Sequence, residues 1–255
     1  MMRRGKLSGG KVLRNVLYFS GQAVIITATF RAVGAGREFL SVIGYLRNLF
    51  EALDLTSMSA TALRVAAVFL CLTIHETCHG LAALALGDPT ARNLHRLSLN
   101  PLRHIDWLGL LMMFVAGFGW AKPVPVDSRY FRNPKWGMAL TALAGPASNF
   151  LLAGLSLLLA RVLAETDYSL AIVFFAVQLP MLSLGLGVFN LIPFPPLDGS
   201  KVLAAFLPDR IYNRWMRYEF LGTFILFAVF ALNLDGDFIS RAVYWLYLRM
   251  LALIF

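Results

Sequence analysis

Long apolar runs alternate with short basic loops along this chain. Residues 16–34, 61–86, 136–162, 170–192, 218–234 and 241–255 are dominated by Leu, Val, Ile, Phe and Ala. Several approach the roughly 20 residues that a helix needs to cross a bilayer. The first run is the weakest, because Gln22 and Arg31 interrupt it. Residues 39–50 are too short to span, and their amphipathic pattern predicts a helix at the interface or against the bundle. Residues 108–120 are apolar yet only 13 long, with Gly117 and Gly119 near the end. That length predicts a re-entrant hairpin, since non-helical backbone is tolerated at membrane depth where it lines a protein cavity.

Breakers punctuate the pattern. Gly87-Asp88-Pro89 closes the second run. Within the third, the stretch 143–149 (LAGPASN) offers small residues that admit a close neighbour, and Asn149 brings an amide to mid-membrane. Pro146 is expected to break the hydrogen-bond ladder there. Pro193, Pro195 and Pro196 must end the fourth run and are expected to force extended backbone.

Composition sets the class. With 58% hydrophobic and 15% charged residues, the chain reads as an all-α polytopic membrane protein. About six transmembrane helices are expected, with the re-entrant hairpin between the second and third. The net charge of +9 does not point to nucleic acid. Arg92, Arg96 and Arg103, then Lys122, Arg129, Arg132 and Lys135, then Lys201, Arg210, Arg214 and Arg217 all sit in loops between apolar runs. That is the positive-inside pattern of cytoplasmic loops. Residues 163–169 carry Glu165 and Asp167 without Lys or Arg, which suits the outer side. The basic start, Met1 to Lys11, lacks the apolar core and cleavage site of a signal peptide and is expected to stay cytoplasmic. Cys71 and Cys78 share one apolar helix, so no disulfide framework is expected.

The second run contains the chemistry. It reads His75-Glu76-Thr77-Cys78-His79. Helical residues four apart differ by about 40° in direction, so His75 and His79 share a face. Two neutral imidazoles at that spacing can hold a zinc ion, and Glu76 can then accept a proton from a water on the metal. Ionisable groups inside an apolar helix cost about 2.5 kcal/mol or more each unless paired or bound. Three within five residues call for a shared partner, and a metal is the simplest.

Catalytic zinc usually has three protein ligands, so one is missing. Asp198 follows a run heading for the same side and sits just past the proline-rich break, where rigid backbone can hold a fixed ligand. Asp106, beside the short apolar segment, is the competitor. His95 and His104 lie in the basic loop and read as loop or interface residues rather than a second metal site.

Taken together, HETCHG at 75–80, LAGPASN at 143–149 and NLIPFPPLDGS at 190–200 resemble the site-2 protease family of intramembrane zinc metalloproteases. The stretches 87–106 and 117–126 are similar to its short bacterial branch, and the likeness covers roughly residues 61–217. The resemblance implies that His75, His79 and Asp198 bind one Zn2+ and that Glu76 is the catalytic acid/base. It also implies that Asn190 is a polar group near the scissile peptide, with Asn149 as a helper. A transmembrane protein would be the substrate, cut within the lipid of a bacterial cytoplasmic membrane by a site open toward the cytoplasm. Residues 1–60 match no family feature and are expected to form a membrane-associated extension. Residues 61–217 would be the catalytic core and 218–255 a helical pair, with no PDZ or nucleotide-sensing CBS domain expected. The rival classes are a zinc-binding membrane transporter and a non-proteolytic membrane scaffold. Transporters usually carry repeat-related polar sites near the midplane, and no internal repeat is evident here.

Overall fold

A computed structural model describes residues 58–109, 121–163, 174–217, 219–231 and 238–255. Eight helices are defined there: α1 (Met58–Ala85), α2 (Thr90–Asn93), α3 (Pro134–Leu163), α4 (Leu179–Asn190), α5 (Asp198–Ala205), α6 (Asp209–Arg217), α7 (Glu219–Ala231) and α8 (Phe238–Ile254). A π-helical turn, Phe174–Gln178, leads into α4, and 3-10 turns occupy Pro101–Arg103 and Ser128–Tyr130. No strand occurs among the described residues, and an isolated backbone bridge joins Ile105 to Ala121. The expected all-helical architecture is therefore present. The first apolar run, the segment 39–50 and all but the last residues of the 1–60 extension lie outside the described residues, as does most of the expected hairpin at 108–120.

Among the described residues, two helices are long and apolar enough to cross a membrane: Ala62–Ala85 with 24 residues and Pro134–Leu163 with 30. At 1.5 Å per residue they reach about 36 and 45 Å, against a hydrocarbon core of about 30 Å. Helix α3 begins where Asn133 accepts a hydrogen bond from the Trp136 N–H at 3.3 Å, with Pro134 at the first position. It then runs on through Pro146, whose missing N–H breaks the ladder at that one position without ending the helix. A proline withholds only its own N–H, and packing on both sides of α3 keeps the rod together. Helix α3 is central, packing against α1, α4 and α5 and touching α8.

The burial pattern of α3 is the reverse of a soluble helix. Its hidden face is Gly137, Ala139, Thr141, Gly145, Ser148, Asn149, Ala153, Ser156 and Ala160, with Leu157 among them. Its open face is Leu140, Leu143, Leu151, Leu155, Leu158, Leu159 and Val162. Leucine outside and small residues inside is the arrangement of a helix bundle in lipid, where close backbone approach does the packing. Hydrogen bonds stitch the interior: Ser156 Oγ to the Phe175 carbonyl at 2.6 Å, Ser183 Oγ to the Asn149 carbonyl at 2.8 Å, and Tyr247 Oη to the Ala176 carbonyl at 2.8 Å.

After α4 the chain does not extend as the prolines suggested. Residues 191–197 coil through consecutive turns, with the Phe194 N–H on the Ile192 carbonyl and the Leu197 N–H on the Phe194 carbonyl. Leu197, at ψ 155°, is extended, immediately before Asp198 opens α5. A proline fixes φ near −65°, which turns tolerate as readily as strands do. The folded-back loop returns the chain to the bundle at Asp198.

Candidate metal centre

Helix α1 carries His75 and His79 on the face that meets α3, one turn apart, and both are buried. Their rings stand edge to face, centroids 4.5 Å apart, with the two Nε2 atoms 3.0 Å from each other. Asp198 at the start of α5 brings Oδ2 to 3.2 Å from His75 Nε2 and 3.1 Å from His79 Nε2. Gly145 on α3 makes room for this. A Cβ there would fall 2.5 Å from His79 Nε2 and 2.7 Å from His75 Cε1, so any side chain displaces an imidazole.

The donor chemistry fits a cation. The Thr141 carbonyl can only accept, so His79 Nδ1–H donates to it at 2.7 Å, leaving the lone pair of a neutral ring on Nε2. That lone pair faces a carboxylate oxygen, an arrangement that needs a positive centre between the two. A metal ligand must be ionised, and a carboxylate is the ordinary form of an aspartate at neutral pH. Tetrahedral zinc at about 2.0–2.2 Å from each ligand separates neighbouring ligands by roughly 3.3–3.5 Å, close to the spacings found here.

Glu76 lies beside the cluster, half-buried, and its Oε2 accepts from the Val124 N–H at 2.9 Å. The competitor Asp106 does not join the cluster. Its Oδ1 accepts from the Leu108 and Gly109 N–H groups at 2.9 and 3.0 Å, capping the backbone that follows. Asn149 is fully buried one turn along α3 from Gly145, and neither atom of its amide has a hydrogen-bond partner. Asn190 ends α4 and donates Nδ2–H to the Leu186 carbonyl of its own helix at 3.0 Å. Neither asparagine bonds to the His–Asp cluster among the described residues.

Sequence patterns missed three contributors. Asp88 was readable only as a helix stop, yet it is buried and clamps two segments: Oδ1 accepts from the Thr90 N–H and hydroxyl, and Oδ2 from the Asp127 N–H at 2.7 Å. Val124 supplies the N–H that holds Glu76. The signal was present in Pro123-Val124-Pro125, which leaves a single donor in three residues. His104, expected as a loop or interface residue, is in the loop but 3% exposed. His95 is exposed, at φ 52°.

Comparison with known proteins agrees with this geometry. The model of Peptidase family M50 matches residues 162–232. The chain is 35% identical to "Putative zinc metalloprotease YwhC" of Bacillus subtilis over 66% of its own length and 78% of the relative's. It is 33% identical to "Putative zinc metalloprotease Rip2" of Mycobacterium tuberculosis over 69% of each chain, and 30% identical to the protein of the same name in Mycolicibacterium smegmatis over 72% of each. No solved structure matches. The chain belongs to peptidase family M50, the site-2 protease family its motifs resemble. By class it is a metalloprotease and an integral membrane protein, and its substrate is protein.

Proposed function

We propose that the chain is an intramembrane zinc metalloprotease that hydrolyses a peptide bond of transmembrane substrate proteins. His75, His79 and Asp198 would hold the metal, with their donor atoms drawn from α1 and α5. When bound, zinc polarises a peptide carbonyl and lowers the pKa of water toward ~7. Glu76 is the acid/base. With Oε2 held by Val124, its Oε1 takes the proton of the attacking water and returns it to the leaving amine. The His79 Nδ1–H bond to Thr141 keeps Nε2 aimed at the metal. Asn190 has a second amide hydrogen beyond the one given to Leu186, and Asn149 has both of its own, for an oxyanion developing on the substrate.

A transmembrane helix hides its carbonyls in internal bonds, so the substrate must unwind before it reaches this site. Six crossings, with residues 108–120 re-entering beside the substrate and the basic loops on the cytoplasmic side, complete the reading. The site then opens toward the cytoplasm of a bacterial inner membrane, from which water arrives. The observation that carries this function is the convergence of three donor atoms, the outermost two 123 residues apart in sequence, beside a helix whose outer face is leucine.

The test is zinc content and proteolysis measured together, with and without a chelator, on a tagged single-span substrate. Wild type is expected to bind one zinc and cut, Asp198→Asn to lose both, and Asp106→Asn to keep its zinc. An Asp198→Asn protein with full zinc and full cleavage would remove the third ligand from the proposal.

A further inference from the structure

We propose that His104 is a positioning residue for Glu76, acting through the extended segment 121–126. Resting on the acid/base role given to Glu76 above, it explains what keeps that carboxylate in place. Glu76 depends on one backbone donor, the Val124 N–H. Pro123 and Pro125 flank that donor and have no N–H of their own, so a one-residue slip of the segment leaves Glu76 without a donor. Its alignment is set from outside.

His104 is the node. Its carbonyl accepts the Lys122 N–H at 2.9 Å, which fixes the segment two residues before Val124. Its buried side chain donates Nε2–H to the Ser98 carbonyl at 2.7 Å. That same carbonyl accepts the hydroxyl of Thr77, the residue after Glu76 on α1, at 3.0 Å. His104 thus links the two halves of a circuit, its backbone carbonyl holding the segment at Lys122 and its ring holding the Ser98 carbonyl on which the catalytic helix also bonds. Gly80 makes room on α1 beside this segment: a Cβ there would collide with Leu97 Cδ2 and fall 3.1 Å from Val124 Cγ1. Arg96 supports the same segment from the exposed side, donating Nη2–H to the Lys122 and Pro123 carbonyls at 2.9 and 3.3 Å.

The remaining ring atom, Nδ1, is buried without a hydrogen-bond partner. What the circuit uses is therefore a donor at the Nε2 position, and glutamine can supply one. Two variants of the full chain decide the matter. His104→Gln keeps the donor, while His104→Leu fills the space without it. Amide hydrogen exchange over residues 123–125 reports Val124 alone, because the two prolines carry no amide hydrogen. Exchange there is expected to rise about tenfold or more in the leucine variant and to stay near wild type in the glutamine variant. Zinc content should remain at wild-type level in both. On the tagged single-span substrate, kcat is expected to fall about 10–100-fold for leucine with KM little changed, and to be largely restored by glutamine. Unaltered Val124 exchange in the leucine variant, a glutamine variant as impaired as leucine, or zinc lost in step with activity would each overturn the proposal. A wild type that protects Val124 yet never cleaves would instead sink the protease reading, so the two failures are distinguishable.

Discussion

Glu76→Gln is expected to retain its zinc and stop cutting. Glutamine is nearly isosteric with glutamate and can still accept the Val124 N–H through its amide oxygen, so the 2.9 Å anchor survives. Neither imidazole nor Asp198 is touched. What disappears is an atom able to take a proton from water and hand it to the leaving amine. General acid–base catalysis of this kind contributes about 10²–10⁴-fold, and this residue serves twice in one turnover. The loss should fall at the upper end of that range, in kcat rather than KM. The measurement is a zinc-to-protein ratio beside a cleavage time course. Normal cleavage would mean that some other group moves the proton.

His79→Ala is expected to lose the metal as well as the activity. Removing this ring deletes one of three donors, strips the Thr141 carbonyl of its 2.7 Å partner and leaves Asp198 with one imidazole. The uncompensated carboxylate then sits in a buried site, which is costly. Loss of metal also removes linked stability. A ligand at a hundred times its Kd stabilises the folded state by about 2.7 kcal/mol, and at a thousand times by about 4.1. Chelation should therefore lower the melting temperature of wild type and of Glu76→Gln, but leave His79→Ala unmoved. A His79→Ala protein that still melts lower with chelator would show that the metal is held elsewhere.

The sequence carried the metal centre further than it carried the supports of Glu76. His75 and His79 were legible because a helix repeats, so spacing alone puts them on one face. Asp198 was legible because rigid proline-rich backbone precedes it, although the prolines produced turns rather than the expected extended chain. Asp106 was the weaker candidate on paper, and in space its carboxylate is taken up by two backbone partners. The hold on Glu76 was illegible for a different reason. It runs through main-chain groups of Val124, Lys122, Ser98 and His104, and a backbone donor has no residue-type signature. His104 illustrates the difficulty: its burial comes from a loop folded over it, and loops have no periodicity to betray which side faces in. The path of α3 through Pro146 was legible, because the apolar run continues on both sides of the proline.

The outward leucines of α3 carry a thermal consequence. Hydrocarbon tails greet those side chains as warmly as a neighbouring helix would, so no oily squeeze holds the rods together. Cohesion rests on snug glycine and alanine seams and a few hydroxyl rivets such as Ser183 on Asn149. Each rod, by contrast, keeps its own internal bonds because the surrounding fat offers none in exchange. Heating should therefore unfasten the bundle before it unwinds the helices. Proteolysis and zinc retention are expected to fail at a lower temperature than the far-ultraviolet dichroism, and coincident transitions would contradict that order.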